Sequence, residues 1–256
     1  MKKLYLIYIL FLVVGCKAYV LTETKNENIS VIVTESEDST LISIIEPYKL
    51  SLDSSMNQVL AISEMEMSTG SPEGLLGNFV CDLSLEIGNE YYLKQFNEKA
   101  DFVLLNNGGL RTFLPKGDVT RRKIYEIMPF ENELVVVTLS AEKANELFGY
   151  LGKKTVNGGT RKQGVPISGN VQVTLQQLLP KDIYINKSPF QGKQYKVITS
   201  DYLANGGDNM SFFKDPINLQ KLGIKLRDAI IMKCERENKK GNKLVSVLDK
   251  RISYVK

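Results

Sequence analysis

Asn106-Asn107-Gly108-Gly109-Leu110-Arg111 follows directly on the apolar stretch from Ala100 to Leu105, and this junction governs how the chain reads. A short apolar run of that kind predicts a buried strand. Adjacent glycines at its end let the backbone turn sharply and approach a ligand with no side chain in the way. Arg111 then offers a planar fork of donors suited to carboxylate or phosphate oxygens. Two similar clusters sit at the ends of other apolar stretches, Pro129-Phe130-Glu131-Asn132 and Asn205-Gly206-Gly207-Asp208. Phe130 lies nineteen residues after Arg111 and Tyr202 six before Asp208, so a cation, two aromatics, an amide and a carboxylate are available to one pocket.

That inventory suits a nucleoside or nucleotide. Phe130, beside a proline on a short loop, offers a flat face to a base, and Asn132 an amide to its ring nitrogens. Asp208 is placed to accept hydrogen bonds from vicinal sugar hydroxyls, and Gly206 and Gly207, like Gly108 and Gly109, allow close approach. Each cluster alone reads equally as an ordinary turn or, for Pro129-Phe130, as core packing. Their combination carries the reading.

Working outward, the 256 residues are 43% hydrophobic and 24% charged, the composition of a globular protein able to bury a substantial core. The net charge of +4 is modest, and two of the 33 basic residues, Lys2 and Lys3, belong to a leader. No concentrated basic stripe is present, so no nucleic-acid partner is expected. The leader has a short positive start, an unbroken apolar run over residues 4–14, and Val13-Val14-Gly15-Cys16. The run is too short to span a bilayer. It resembles a bacterial lipobox, which predicts a signal over residues 1–15, an acylated Cys16, and an exported lipoprotein on the periplasmic or outer-membrane face. A polar tether over residues 16–40, with a short strand at 29–33, then leads to one domain over 41–256. Cys81 and Cys234 sit in apolar helical stretches, as buried free thiols or, in an exported protein, as a disulfide pair.

Within the domain, Glu46-Pro47 predicts a helix start running to about Met56, and Ser71-Pro72-Glu73 a second. Leu76, Leu83 and Ile87 give that second helix an apolar stripe, with Gly77 and Gly88 allowing close packing. Strands are expected at Ala100 to Leu105, Leu134 to Leu139, Val171 to Val173, Tyr195 to Thr199 and Leu244 to Leu248. Ser140 caps a helix whose Ala144, Leu147, Phe148 and Leu151 face the core, residues 153–164 form an exposed loop, and a last helix is expected over about 224–235. Without regular alternation, these elements predict α+β architecture, mixed β-sheets packed with helices.

Glu73-Gly74-Leu75-Leu76-Gly77-Asn78, the run Asn106 to Arg111, Pro129 to Asn132 and Tyr202 to Asp208 together resemble the C-terminal, substrate-recognition domain of the 5′-nucleotidase family. The resemblance begins at about Ser54 and implies that domain's fold. It also implies that Arg111 contacts phosphate, Phe130 and Tyr202 sandwich the base (Tyr202 where phenylalanine is common), Asn132 contacts the base and Asp208 holds the ribose hydroxyls. Two features depart from the family. The stretch Glu66 to Pro72 lacks the further phosphate arginines of some members, leaving anion recognition to Arg111. The family's catalysis belongs to a separate metallophosphatase domain holding two metals partly through histidine, and this sequence has no histidine. No catalytic residue, metal ligand or cofactor is therefore expected in this chain. The resemblance implies the nucleotide-recognition half of a split 5′-nucleotidase, its divalent metals on a partner metallophosphatase chain and its ligand a nucleoside monophosphate or nucleoside. The alternative is a non-catalytic nucleoside-binding lipoprotein for scavenging.

Overall fold

The computed structural model describes residues 23–28, 38–156 and 163–255. The expected signal, Cys16, the strand at 29–33 and the centre of the loop at 157–162 lie outside the described residues. The chain divides into two units, Met1–Glu46 and Pro47–Lys256. In the first, residues 23–28 carry no regular structure. Helix α1 (Ser39–Met56) crosses from the first unit into the second and buries none of its residues. It starts eight residues before the expected Pro47, because the Asp38 carboxylate accepts from the N–H groups of Thr40 (2.8 Å) and Leu41 (3.3 Å). That side-chain cap satisfies orphan donors that proline cannot, so Pro47 lies inside the helix. Among the described residues, no helix is long and apolar enough to cross a membrane.

The second unit is α+β, with mixed sheets packed against helices as expected. Strand β1 (Val59–Ser63) pairs antiparallel with β3 (Gly117–Thr120) in a small sheet. The central sheet has the order β2 (Phe102–Val103), β8 (Tyr195–Ser200), β4 (Glu133–Leu139), β9 (Asn218–Lys225). The third sheet runs β10 (Ile252–Tyr254), β5 (Val171–Gln176), β6 (Leu179–Ile185), β7 (Ser188–Pro189). Helices α2 (Leu75–Phe96), α3 (Arg121–Ile127), α4 (Ala141–Lys154), the single turn α5 (Asp201–Ala204) and α6 (Leu226–Lys239) complete the unit.

Strand β4 reads as continuous Leu-Val-Val-Val because both its faces are buried. Leu134 and Val136 join Ile198, Leu222, α2 and α6 in one core, while Val135, Val137 and Leu139 join Phe102, Val197, α4 and the third sheet in another. The second core receives Ala144, Leu147, Phe148 and Leu151, as predicted, from a helix capped by the Ser140 hydroxyl accepting from Lys143 N–H at 3.2 Å. Gly88 brings α2 onto the sheet: a Cβ there would lie 2.7 Å from Ile198 Cδ1. Cys81 and Cys234 are buried free thiols, without a disulfide between them.

Pairing directions gather the sequence clusters. Because β2 runs parallel to β8, with Phe102 opposite Val197, both strands end on the same side. Because β4 is antiparallel to β8, with Leu134 opposite Ser200, it starts on that side. Strand β9 is antiparallel to β4 and delivers Lys225 opposite Glu133, so α6 also starts there. The four segments holding Asn106, Phe130, Tyr202 and Arg227 therefore share one edge of the sheet.

Three further expected elements differ from the structure. Helix α2 begins at Leu75, not at Ser71-Pro72, because the Ser71 hydroxyl accepts from Val156 N–H at 3.0 Å and holds the neighbouring loop instead of capping a helix. The last helix begins at Leu226, since Ile224 and Lys225 belong to β9. The strand expected at Leu244 to Leu248 shrinks to a single bridge between Leu244 and Ser63. Its following polar groups go to the start of α2: Ser246 Oγ donates to Leu75 O (2.8 Å), and Val247 O accepts from Asn78 Nδ2 (2.8 Å). Strands β1, β3, β6, β7, β9 and β10 and helices α3 and α5 were not anticipated.

The chain's end is fastened by Arg251, which is only 2% exposed. Its guanidinium meets both oxygens of Asp82 at 2.9 Å, both of Asp249 at 2.9 Å, and Ile167 O at 2.8 Å. Burial pushes the Asp249 pKa up, but the bonds from Arg251 outweigh it and leave the group below its ordinary value. Replacing Arg251 by alanine is expected to cost about 3 kcal/mol in urea unfolding, the lower end for a broken buried pair because both aspartates keep contact with water. A loss under about 1 kcal/mol would mean that this cluster does not hold the C-terminus.

Candidate functional site

Past β2 the backbone enters a tight turn over Asn107–Gly109, closed by Leu110 N–H donating to Asn107 O at 3.1 Å. Asn107 is buried as a strut, its Nδ2 donating to Gly70 O (3.0 Å) and Gln163 O (2.9 Å). Glycine at 108 and 109 leaves room for Asn106 to fold back over the turn: a Cβ at either position would lie 3.1–3.2 Å from its amide. Arg111 is held by its N–H donating to Ile127 O (2.8 Å) and by Nη1 donating to Gly108 O (3.3 Å). Its guanidinium lies 6.0 Å from the centre of the Phe130 ring.

These residues open onto a cleft of about 290 Å³, lined by Asn106, Gly108, Gly109, Arg111, Phe130, Asn132, Tyr202 and Asp208. Eight of the ten positions singled out from sequence thus meet. The aromatics are available for contact, Phe130 being 42% and Tyr202 47% exposed. Gly206 and Gly207 do not line the cleft. Gly206, at φ +86°, gives way to Lys214, and a Cβ at Gly207 would lie 2.5 Å from the Tyr202 ring. Gly207 thus seats the tyrosine, while Gly206 makes room for Lys214.

Asp208 is held from three sides. Its Oδ1 accepts from the Tyr202 hydroxyl (2.9 Å), its Oδ2 from Asn106 Nδ2 (2.7 Å), and its backbone O from the Tyr150 hydroxyl (2.7 Å). The bond to Asp208 pushes the Tyr202 phenol up, and burial, with the Asp208 charge second, pushes Tyr150 up to about 12. Both phenols therefore stay protonated donors across the neutral range.

Sequence reasoning missed Tyr150 and Arg227. Arg227, 5% exposed, donates through Nη1 to Met128 O (3.3 Å) and Phe130 O (3.5 Å), pairs through Nη2 with Glu131, and lies 4.2 Å from the Tyr125 ring centre. It pins the loop that presents Phe130. A near-buried arginine leaves no periodic signal in a helix whose neighbours Leu226, Ala229 and Ile230 already explain its burial. Lys225 also bonds Glu131, and together with Arg227 it brings the carboxyl down to about 2.

The family model described as 5′-nucleotidase, C-terminal domain, matches residues 58–215. The chain belongs to this 5′-nucleotidase family. Among similar proteins, the trifunctional nucleotide phosphoesterase protein YfkN of Bacillus subtilis is 23% identical over 253 residues, 91% of this chain and 16% of that protein. The 5′-nucleotidase of Vibrio vulnificus is 23% identical over 197 residues, 76% of this chain and 34% of the enzyme. The chain thus spans 16% and 34% of these relatives. The crystal structure of a 5′-nucleotidase precursor from Thermus thermophilus shares the fold at a TM-score of 0.62 and 20% identity, over 86% of this chain and 44% of that one. The sequence has no histidine, and among the described residues no group of three or more His, Cys, Asp or Glu side chains is placed to hold a metal ion.

The Glu131 pairing gives a directional test. The folded pKa, about 2, lies below the ordinary 4.5, so the stabilisation is complete above pH 4.5 and is lost as pH falls towards 2. In melting experiments over that window, Glu131→Gln is expected to flatten the acid-side fall in Tm relative to wild type; superimposable curves would dismiss the pairing. Arg227→Ala, which frees two carbonyls and a carboxylate, is expected to cost about 2–3 kcal/mol at pH 7.

Proposed function

We propose that this chain is the nucleotide-recognition half of a 5′-nucleotidase and works with a separate metallophosphatase chain that supplies the divalent metals. The observation that carries the proposal is the meeting of Arg111, Phe130, Asn132, Tyr202 and Asp208 on one cleft, in a chain without histidine. The cleft's volume of about 290 Å³ matches the small end of ligand pockets, the size range of a nucleoside. Two exposed aromatic faces support base stacking at about 1–3 kcal/mol per base, by analogy with single-strand binders. Arg111 reaches the phosphate, and Asp208 takes the ribose hydroxyls. The chain's part is to bind and orient; the displacement at phosphorus falls to the metal-bearing partner. The lipobox around Cys16 supports an exported, membrane-anchored setting for that pair.

One observation favours a second reading, a nucleoside-binding lipoprotein for scavenging. Arg111 is the one cationic residue among the described residues lining the cleft, so contacts to base and sugar outnumber those to phosphate.

Titration calorimetry separates the two. On the split-nucleotidase reading AMP binds more tightly than adenosine, and Arg111→Ala weakens AMP about tenfold or more while moving adenosine less than twofold, the loss of one charge-assisted contact. Equal affinities unaffected by Arg111→Ala favour nucleoside scavenging. Phe130→Ala and Tyr202→Ala are each expected to weaken both ligands, and unchanged affinities would remove the pocket itself.

The partnership has its own test. The chain is mixed with a histidine-bearing metallophosphatase lacking a recognition domain, encoded beside it. Association and a rise in AMP hydrolysis are expected; neither occurring would rule out the split enzyme.

A further inference from the structure

Asp208 adopts φ +52° and Asn209 φ +62°, the left-handed region that non-glycine residues seldom occupy. Asp and Asn enter this region more readily than other non-glycine residues, and side chains hold the pair here as well. Here the Tyr150 hydroxyl holds the Asp208 carbonyl, and the Tyr202 hydroxyl closes a ring with the same residue. It accepts from Asp208 N–H (3.3 Å) and donates to Asp208 Oδ1 (2.9 Å). Asn106 takes the other carboxylate oxygen. An ionised carboxylate has about four acceptor positions, two on each oxygen. One on each is occupied within the protein, which leaves one on each for a ligand and fixes the direction in which they point.

Resting on the nucleoside-pocket reading, we propose that the hydroxyl of Tyr202, and not its ring alone, sets selectivity for an intact ribose cis-diol by holding Asp208 aimed to accept both sugar hydroxyls. The ring is seated on Gly207, where a Cβ would lie 2.5 Å away, and its edge is tied to the carboxylate. The stacking face and the sugar acceptor thus move as one rigid body, so base and ribose recognition are coupled. A phenylalanine would keep the face on Gly207 but leave one carboxylate oxygen without its anchor. Phe130, on a different loop and tied to Arg227 through its carbonyl, has no such link to the sugar acceptor.

Calorimetry of the full chain with adenosine and 2′,3′-dideoxyadenosine tests this. Wild type is expected to prefer adenosine by about tenfold or more, the worth of hydrogen bonds to a charged group. Tyr202→Phe, which removes one oxygen from a half-exposed ring, is expected to shrink that preference about fivefold while changing dideoxyadenosine less than twofold. In an Asp208→Asn background the same change is expected to have no further effect on the preference. An unchanged thermal midpoint for each variant establishes that folded proteins are being compared. A preference that survives Tyr202→Phe, or a variant that weakens both ligands equally, overturns the role given to the hydroxyl while leaving the pocket intact. Failure of wild type to bind either ligand, or indifference of both affinities to Phe130→Ala, overturns the pocket reading and this proposal with it.

Discussion

The pairing of β4 with β8, with Leu134 opposite Ser200, is the constraint on which the site rests. Sliding that register by one residue would exchange the two faces of β4, sending Leu134 and Val136 into the core that holds Val135, Val137 and Leu139. Both cores are close-packed, so the register has no cheap alternative. Fixing it also fixes which loops meet, because Asn132 precedes β4 and Tyr202 follows β8 by two residues. The parallel neighbour β2 and the antiparallel neighbour β9 then bring the Asn106 turn and the start of α6 to the same edge. Long-range strand pairing thus converts four distant segments into one surface.

Order at that edge comes from charged and polar groups, since loops at a sheet edge have little apolar area to bury. Arg227 places a cation beneath the Phe130 loop, where two carbonyls, a carboxylate and the face of Tyr125 surround it. Among the described residues its buried Nε has no hydrogen-bond partner. Such a group is costly, and its retention here is consistent with a loop whose position matters more than its stability. Asn107 plays the same part for the neighbouring turn, reaching across to Gly70 and Gln163. Preorganisation of this kind lowers the side-chain and loop ordering that a ligand must otherwise impose on binding.

Much of this was legible in the sequence, for identifiable reasons. The all-apolar run of β4, the Ser140 cap and the amphipathic α4 follow from local pattern, and the structure follows them closely. The Asn-Asn-Gly-Gly, Pro-Phe-Glu-Asn and Asn-Gly-Gly-Asp clusters were recognisable because tight turns and exposed aromatics use few residue types. What stayed hidden depends on tertiary partners. Ser71-Pro72-Glu73 has every local mark of a helix start, yet Val156 claims the serine hydroxyl. The apolar stretch after Leu244 resembles a strand, but its polar groups are spent on the start of α2. Gly206 and Gly207 were attributed to ligand approach, while their missing side chains accommodate Lys214 and Tyr202. Composition can announce that a backbone must be bare; it does not say on which side the neighbour lies.

The distribution of contacts in the cleft also bears on how a recognition half would serve a reaction completed elsewhere. Binding a phosphate tightly in its ground state lowers KM without accelerating its transfer. A cleft with two aromatic faces and a fixed carboxylate directs its binding energy to base and sugar, groups that do not change during phosphoryl displacement. One arginine then suffices to orient the phosphate, and the charge that develops in the transition state is left to whichever groups hold the metals. On this reasoning the sparseness of cations around Arg111 is compatible with a nucleotidase. On the proposed function, substrate anchoring would fall to Phe130, Tyr202 and Asp208, and the chain's contribution would lie in how firmly Tyr202 and Asp208 are held together rather than in the strength of any phosphate contact.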